Sequence, residues 1–323
     1  MNHVRSNILT PQGGQSYCQL KTSLAKHQHK GDEDLEKAPH WETSWDTIGE
    51  LAPIESNTFF GQILQSFPDV ARGQNSALEI GCFPGQFIDF LGGKGYRVSG
   101  FDTYERTPLI NDWLRKRDRD VGEFQCKSLD QYLVDNPGIA FDVVISLGFI
   151  EHFADFCDVL HKHARLCRLG GAIMVGAPNF ASPMQRALHE TLDKTNLSKH
   201  VLEAMYPKIW ALYLSSIGFQ IRHSGSVGRF SFWAETPTTD EKIRLLQAVL
   251  PRAIPAVSAL GDGFNQQEAG YGLVLAVKVR ETPADDENNK AFAGQCLALA
   301  QEMSAKDKEL SDPISALLTR MMQ

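Results

Sequence analysis

The sequence predicts an α/β fold, a doubly wound and mainly parallel sheet with helices on both faces and helical additions. Two observations carry that prediction. From Ala77 to about Val279 short apolar segments alternate with helix-period segments, and helical crossovers between successive strands impose parallel pairing with right-handed connections.

Each element follows in order. ALEIGC is a short apolar strand, and GQFIDFLGGKG is a helix closed by glycine. YRVSGFD forms a second strand, followed by a helix through TPLINDWLRKR. EFQC, the short helix SLDQYLVD and the strand FDVVISL come next. In FADFCDVLHKHARLCRLGG, apolar Phe153, Phe156, Val159, Leu160, Ala164 and Leu166 make one helical face, which Gly170 and Gly171 are expected to end. AIMVGAP is a buried strand, YPKIWALYLSSIGFQIRHSG a helix feeding a strand, and Gly270 to Val279 a final strand.

The flanks differ in character. Residues 1–38 are polar and mixed in charge, as a mobile arm is. Residues 39–76 carry Trp41, Trp45 and apolar spacing that fits a helical cover. The main domain is expected over 77–280, with additions at about 181–206 and 237–267. Residues 281–323 suggest an acidic linker and one amphipathic helix, packed on its own domain in a monomer or against a second copy in a homodimer.

Composition narrows the function classes. A 42% hydrophobic chain with net charge −7 is an ordinary globular protein without the basic excess of a nucleic-acid binder. The six cysteines form no CxxC pair, and no secretory leader opens the chain, so reduced thiols in a cytoplasmic protein are expected. No apolar run reaches the roughly 20 residues of a membrane span.

The turn after the first strand, from Glu79 to Gly85, reads ExGxxxG. Glycines there let backbone amides approach a ligand at a helix N-terminus. Phe83 and Pro84 stand where a dinucleotide binder has its second glycine, so a pyrophosphate clamp is disfavoured. Glu79 is an acid inside an apolar strand. Asp102 ends the next strand, where a carboxylate can accept both hydroxyls of a ribose. Leu147, Gly148, Glu151 and His152 in ISLGFIEHF face the same crevice. A tight turn chosen for helix packing, or another nucleotide-binding doubly wound domain, remains open at this point.

LEIGCFPGQF, GFDTYE, FDVVISLGFIEHF and LGGAIMVGAPNF, in that order and spacing, resemble motifs of class I S-adenosylmethionine-dependent methyltransferases from Ala77 to Asn179. The two later strands are similar to that family's closing hairpin. The resemblance implies a Rossmann-like sheet of seven strands with an antiparallel last strand. It also implies S-adenosyl-L-methionine as cofactor, leaving as S-adenosyl-L-homocysteine. Glu79, Gly81 and Gly85 would line its methionine part, Cys82 and Phe83 would join the cofactor site, Phe83 as an aromatic wall, and Asp102 would bind its ribose. Thr103 or Tyr104 would border the adenine, and Leu147 and Gly148 would close the pocket. The family often places an acid against the adenine amino group; here Ser128 and Leu129 stand there, with Asp130 one step on.

Methyl transfer from a sulfonium needs alignment and exclusion of water, and a hydroxyl acceptor also needs its proton removed. His152 is the first candidate base, with pocket lining or a purely structural role as alternatives. Glu151, Asn179, His189, His200, Arg229 and Trp233 are candidate acceptor contacts. A solvated helix histidine is the plainer reading of His189 and His200. Asn179 serves equally to stop a strand, and an edge strand alternating through Phe230, Phe232 and Ala234 explains Arg229 and Trp233. His161 and His163, two apart on a helix, share no face. No other spacing resembles a metal cluster, and metal independence is expected.

The aromatic additions suit a small organic or sugar acceptor, with oxygen favoured. N-methylation of an amine, peptide or protein is the alternative, followed by a non-catalytic binding subunit of the same fold. Nucleic acid and membrane partners are not expected; SLGF stands where an exocyclic-amine methyltransferase has an Asn/Asp-Pro-Pro-aromatic turn.

Overall fold

The computed structural model describes residues 53–232, 234, 240, 241, 243–246, 248, 249, 267–283 and 286–322. The expected arm over 1–38, Trp41 and Trp45 of the cover, Trp233 and nearly all of the 237–267 addition lie outside these residues.

Seven strands form one sheet: β1 (Ser76–Ile80), β2 (Arg97–Asp102), β3 (Val121–Cys126), β4 (Phe141–Leu147), β5 (Cys167–Pro178), β6 (Phe219–Phe230) and β7 (Ala269–Lys278). Their spatial order is β3-β2-β1-β4-β5-β7-β6. Pairing is parallel from β3 across to β5, and β7 runs antiparallel to both β5 and β6. Strand order reverses between β1 and β4, so the crevice of a doubly wound sheet opens at the carboxyl ends of these two strands. Every residue of β4 is buried, as expected of a central parallel strand covered on both faces.

The crossovers are α2 (Gln86–Gly93) after β1, α3 (Ile110–Lys116) after β2, α4 (Leu129–Asp135) after β3 and α5 (Phe156–Leu166) after β4. Asp155 caps α5 by accepting from the Asp158 amide at 3.2 Å. Phe156, Val159, Leu160, Ala164 and Leu166 are buried as the spacing predicts, but α5 ends at Leu166 rather than at the glycine pair. Cys167 already pairs with Phe141, and the register slips before Ala172 meets Val143. Residues 168–171 therefore form an irregular bulge at the start of β5, and Gly170, at φ +80°, serves that bulge rather than a helix cap. Lys278 of β7 closes the same corner, its buried ammonium donating to the carbonyls of Ala164 and Cys167 at 3.0 and 2.8 Å.

The remaining helices build one side of the domain: α6 (Pro183–Leu192), α7 (Lys194–Leu197), α8 (Pro207–Ser216) and the long α9 (Glu287–Met322). The helix α9 packs against α6, α8 and α5. Polar ties hold it there: Tyr206 donates to Asp307 Oδ2 at 2.8 Å, and Arg186 to the Ser304 carbonyl at 2.9 Å. Before β1, Phe60 of α1 (Phe59–Leu64) is buried against Phe87 and Tyr271.

Candidate active site

The turn between β1 and α2 is built from two backbone needs. Gly81 and Gly85 both have positive φ, +70° and +102°, which residues with a Cβ rarely adopt. A Cβ on Gly81 would stand 2.8 Å from Phe149 Cδ2, so the aromatic residue after β4 closes directly on this turn. The Gly81 and Cys82 amides both donate to the Phe101 carbonyl, at 3.0 and 3.1 Å, tying the turn to β2.

Two carboxylates hold the same turn. Glu79, 2% exposed, accepts from the Ile88 amide at 3.0 Å inside the first turn of α2. Burial pushes its carboxyl well above the usual carboxylate range. Asp102 accepts from the Phe83 amide on Oδ2 and from the Tyr104 amide on Oδ1, both at 3.1 Å. Burial also raises its carboxyl, and these amide hydrogen bonds oppose the shift. The rings of Phe83 and Tyr104, whose amides Asp102 binds, meet edge to face with centroids 4.6 Å apart. Thr103 is exposed, and its carbonyl accepts from the Cys126 thiol at 3.4 Å.

The loop after β3 lies beside Asp102, since the Lys127 amide donates to the Asp102 carbonyl at 2.8 Å. Ser128 there caps α4 by accepting from the Gln131 amide at 3.2 Å, and Leu129 is buried in the core. Asp130 pairs with Lys162 at 2.6 Å. At the end of β4, Leu147 is buried, and Gly148, at φ +88°, donates to the Gly176 carbonyl of β5 at 2.8 Å. Glu79, the Gly81 to Gly85 turn, Asp102, Leu147 and Gly148 thus line neighbouring strand ends.

Beyond Gly148 the chain turns through Ile150–His152. Glu151 is buried, and its carbonyl accepts from the Val201 amide at 2.8 Å. His152 Nδ1 lies 3.1 Å from the Lys199 carbonyl, and His200 Nδ1 2.8 Å from the Asn196 carbonyl. A carbonyl only accepts, so each Nδ1 carries a proton, and in the neutral ring the lone pair is on Nε2. The two imidazoles lie 5.0 Å apart. Glu151, His152 and His200 bring one donor atom each to within 4.8 Å of one another. Spacing along the chain does not reveal this grouping, because its donors come from segments joined only in the fold.

The other acceptor candidates fall in different places. His189 is fully buried, correcting the solvated-helix reading. Its ring lies 3.9 Å from Phe180 and 5.1 Å from Phe232, with Nδ1 3.4 Å from Asp193 Oδ2. The inner face of α6 contributes Leu188 and Leu192 to a small second core with Phe230 and Phe232, which explains that burial. Phe180 also meets His200, at 5.0 Å. Asn179 donates its carboxamide to the Gln267 and Ala269 carbonyls at 3.3 and 2.8 Å, joining the end of β5 to the start of β7. This favours the strand-ending reading. Arg229 is exposed between buried Val227 and Phe230 on the edge strand β6.

The sequence offered His163 only as a metal ligand and did not reveal its bracing role. This histidine is fully buried on α5, with Nδ1 donating to the Val159 carbonyl at 2.7 Å and Nε2 2.9 Å from Ser146 Oγ. Burial lowers its pKa to about 4, so the ring is neutral and braces β4 beneath the site.

Residues 54–224, more than half of the chain, match the family model described as a methyltransferase domain. The chain belongs to the class I S-adenosylmethionine-dependent methyltransferases. A ubiquinone biosynthesis O-methyltransferase of Thiobacillus denitrificans is 27% identical over 145 residues, covering 45% of this methyltransferase and 60% of that relative, less than two thirds of its length. Among solved structures, an S-adenosylmethionine-dependent methyltransferase from Archaeoglobus fulgidus is 17% identical, covers 65% of this chain and 87% of its own, and has a TM-score of 0.41. One from Mesorhizobium loti is 16% identical over 68% of this chain and 98% of its own, with a TM-score of 0.43. Among the described residues no helix is long and apolar enough to cross a membrane.

Proposed function

We propose that the protein methylates an oxygen of a small organic acceptor, a sugar or natural-product metabolite, in the cytoplasm. The observation that carries this reading is the 3.1 Å contact of His152 Nδ1 with the Lys199 carbonyl, which places the proton of the neutral ring on Nδ1. Nε2 is thereby the proton-accepting nitrogen, four residues past Gly148 and beside the buried Glu151 carboxylate, 4.0 Å away. An O-methyltransferase among the relatives agrees with oxygen as the acceptor atom.

The strand-end residues fit the cofactor. Gly81 and Gly85 open the turn to close backbone approach, and buried Glu79 offers a carboxylate toward a cationic amino acid moiety. Asp102 uses one lone pair of each oxygen on an amide and keeps others for two ribose hydroxyls. Phe83 and Tyr104 supply an aromatic wall for the nucleoside. The bound sulfonium supplies the methyl group as an electrophile. The chain's own residues then align an acceptor oxygen, exclude water and take its proton at His152 Nε2. With the cofactor held there, loss of that proton would let the oxygen take the methyl group as its bond to sulfur breaks.

The test is S-adenosylhomocysteine release with sugar, phenol and amine acceptors, followed by mass spectrometry of the product. An O-methylated product supports the reading, and methylation of amines alone overturns it. His152→Ala is expected to lower kcat about 10²- to 10⁴-fold with S-adenosylhomocysteine affinity retained. Equal loss of both would make His152 a cofactor contact.

A further inference from the structure

We propose that Glu151, His152 and His200 bind one divalent transition-metal cation at the acceptor end of the site. The inference rests on the reading of this face as the acceptor site and gives His152 Nε2 the role of a ligand in place of a base, since a nitrogen bound to a cation takes no proton.

Three features of the cluster point the same way. The donors come from two distant segments that backbone hydrogen bonds hold together: Val201 N–H to the Glu151 carbonyl at 2.8 Å and His152 Nδ1–H to the Lys199 carbonyl at 3.1 Å. Both imidazoles are also oriented by hydrogen bonds at Nδ1, His152 to the Lys199 carbonyl and His200 to the Asn196 carbonyl. That arrangement fixes the Nε2 lone pair and is the usual support of a metal-bound histidine. Finally, Glu151 is 1% exposed, and a buried charged oxygen gains most from a cation.

The geometry is close to what an ion needs. A tetrahedral site with bonds of about 2.1 Å holds its ligand atoms about 3.4 Å apart. The donor atoms, within 4.8 Å of one another, close on an ion through side-chain movements of about 1.4 Å or less. Two imidazoles and one carboxylate suit zinc, cobalt, nickel or ferrous ions better than magnesium or calcium.

Three protein ligands leave a fourth position for the acceptor. A hydroxyl oxygen bound there loses its proton more readily, and the proton passes to solvent water instead of to His152. The alkoxide then takes the methyl group, the sulfur–methyl bond breaks, and the products are the methyl ether, S-adenosylhomocysteine and one proton.

The experiment is a Co²⁺ titration of the untagged full chain, followed by visible d–d absorption and displaced with Zn²⁺. The expected result is one Co²⁺ per chain. Glu151→Gln and His200→Ala should each weaken it at least about 100-fold while S-adenosylhomocysteine affinity, measured by calorimetry, shows that the variants remain folded. Failure of the wild-type chain to bind Co²⁺, or equal binding by wild type and both variants, overturns the proposal. Methylation of a hydroxyl acceptor by a chain that binds no Co²⁺ would leave the O-methylation reading standing without the cation. Co²⁺ held by these residues with only amines methylated would sink that reading and keep the site.

Discussion

Asp102 Oδ2 accepts a hydrogen bond from the Phe83 amide at 3.1 Å, so the residue that ends β2 holds the turn that ends β1. Its other oxygen takes the Tyr104 amide, and the turn is organised before any ligand arrives. Asp102→Ala should therefore speed deuterium exchange at the Phe83 and Tyr104 amides, with the amides of β4 unchanged. Unaltered exchange at both amides would mean that the turn stands without the carboxylate.

Gly81 meets two demands, a positive φ and the close approach of Phe149. Gly81→Ala is expected to destabilise the chain by about 1 to 3 kcal/mol and to weaken S-adenosylhomocysteine binding. Thermal unfolding checks the first effect and calorimetry the second. A variant with unchanged melting temperature and affinity would contradict the role given to this turn.

His163 makes a pH prediction whose sign follows from burial. Its folded pKa of about 4 lies below the unfolded value of about 6.5, so the unfolded chain binds the extra proton between these values. Its contribution to stability is full above about pH 6.5 and falls as pH drops toward 4. Between pH 7 and pH 5 the wild-type chain should lose about 2 kcal/mol more than His163→Gln, read by urea unfolding of both chains. Equal losses would show that His163 does not carry this dependence.

What the sequence made legible was local. The alternation of apolar strands and helices specified the sheet, and Glu79, Gly81, Gly85 and Asp102 lay at strand ends where the fold was bound to bring them together. Ser128 shows the limit of that logic, since a place in the order of motifs does not distinguish a ligand contact from a helix cap. The end of α5 was misread because Gly170 serves a strand bulge as well as it would a helix stop. The contact of His163 with Ser146 and the grouping of Glu151 and His152 with His200 were invisible for a different reason: each depends on which distant segment packs opposite, and residue spacing does not encode that.

The most direct test of the central claim, that S-adenosylmethionine is held at the ends of β1, β2 and β4, is calorimetric titration of S-adenosylhomocysteine into wild type and Asp102→Ala. The wild-type chain should bind one-to-one, and the variant should lose about 1.5 to 3 kcal/mol through lost charge-assisted hydrogen bonds. Equal affinities, or no binding by the wild-type chain, would contradict it.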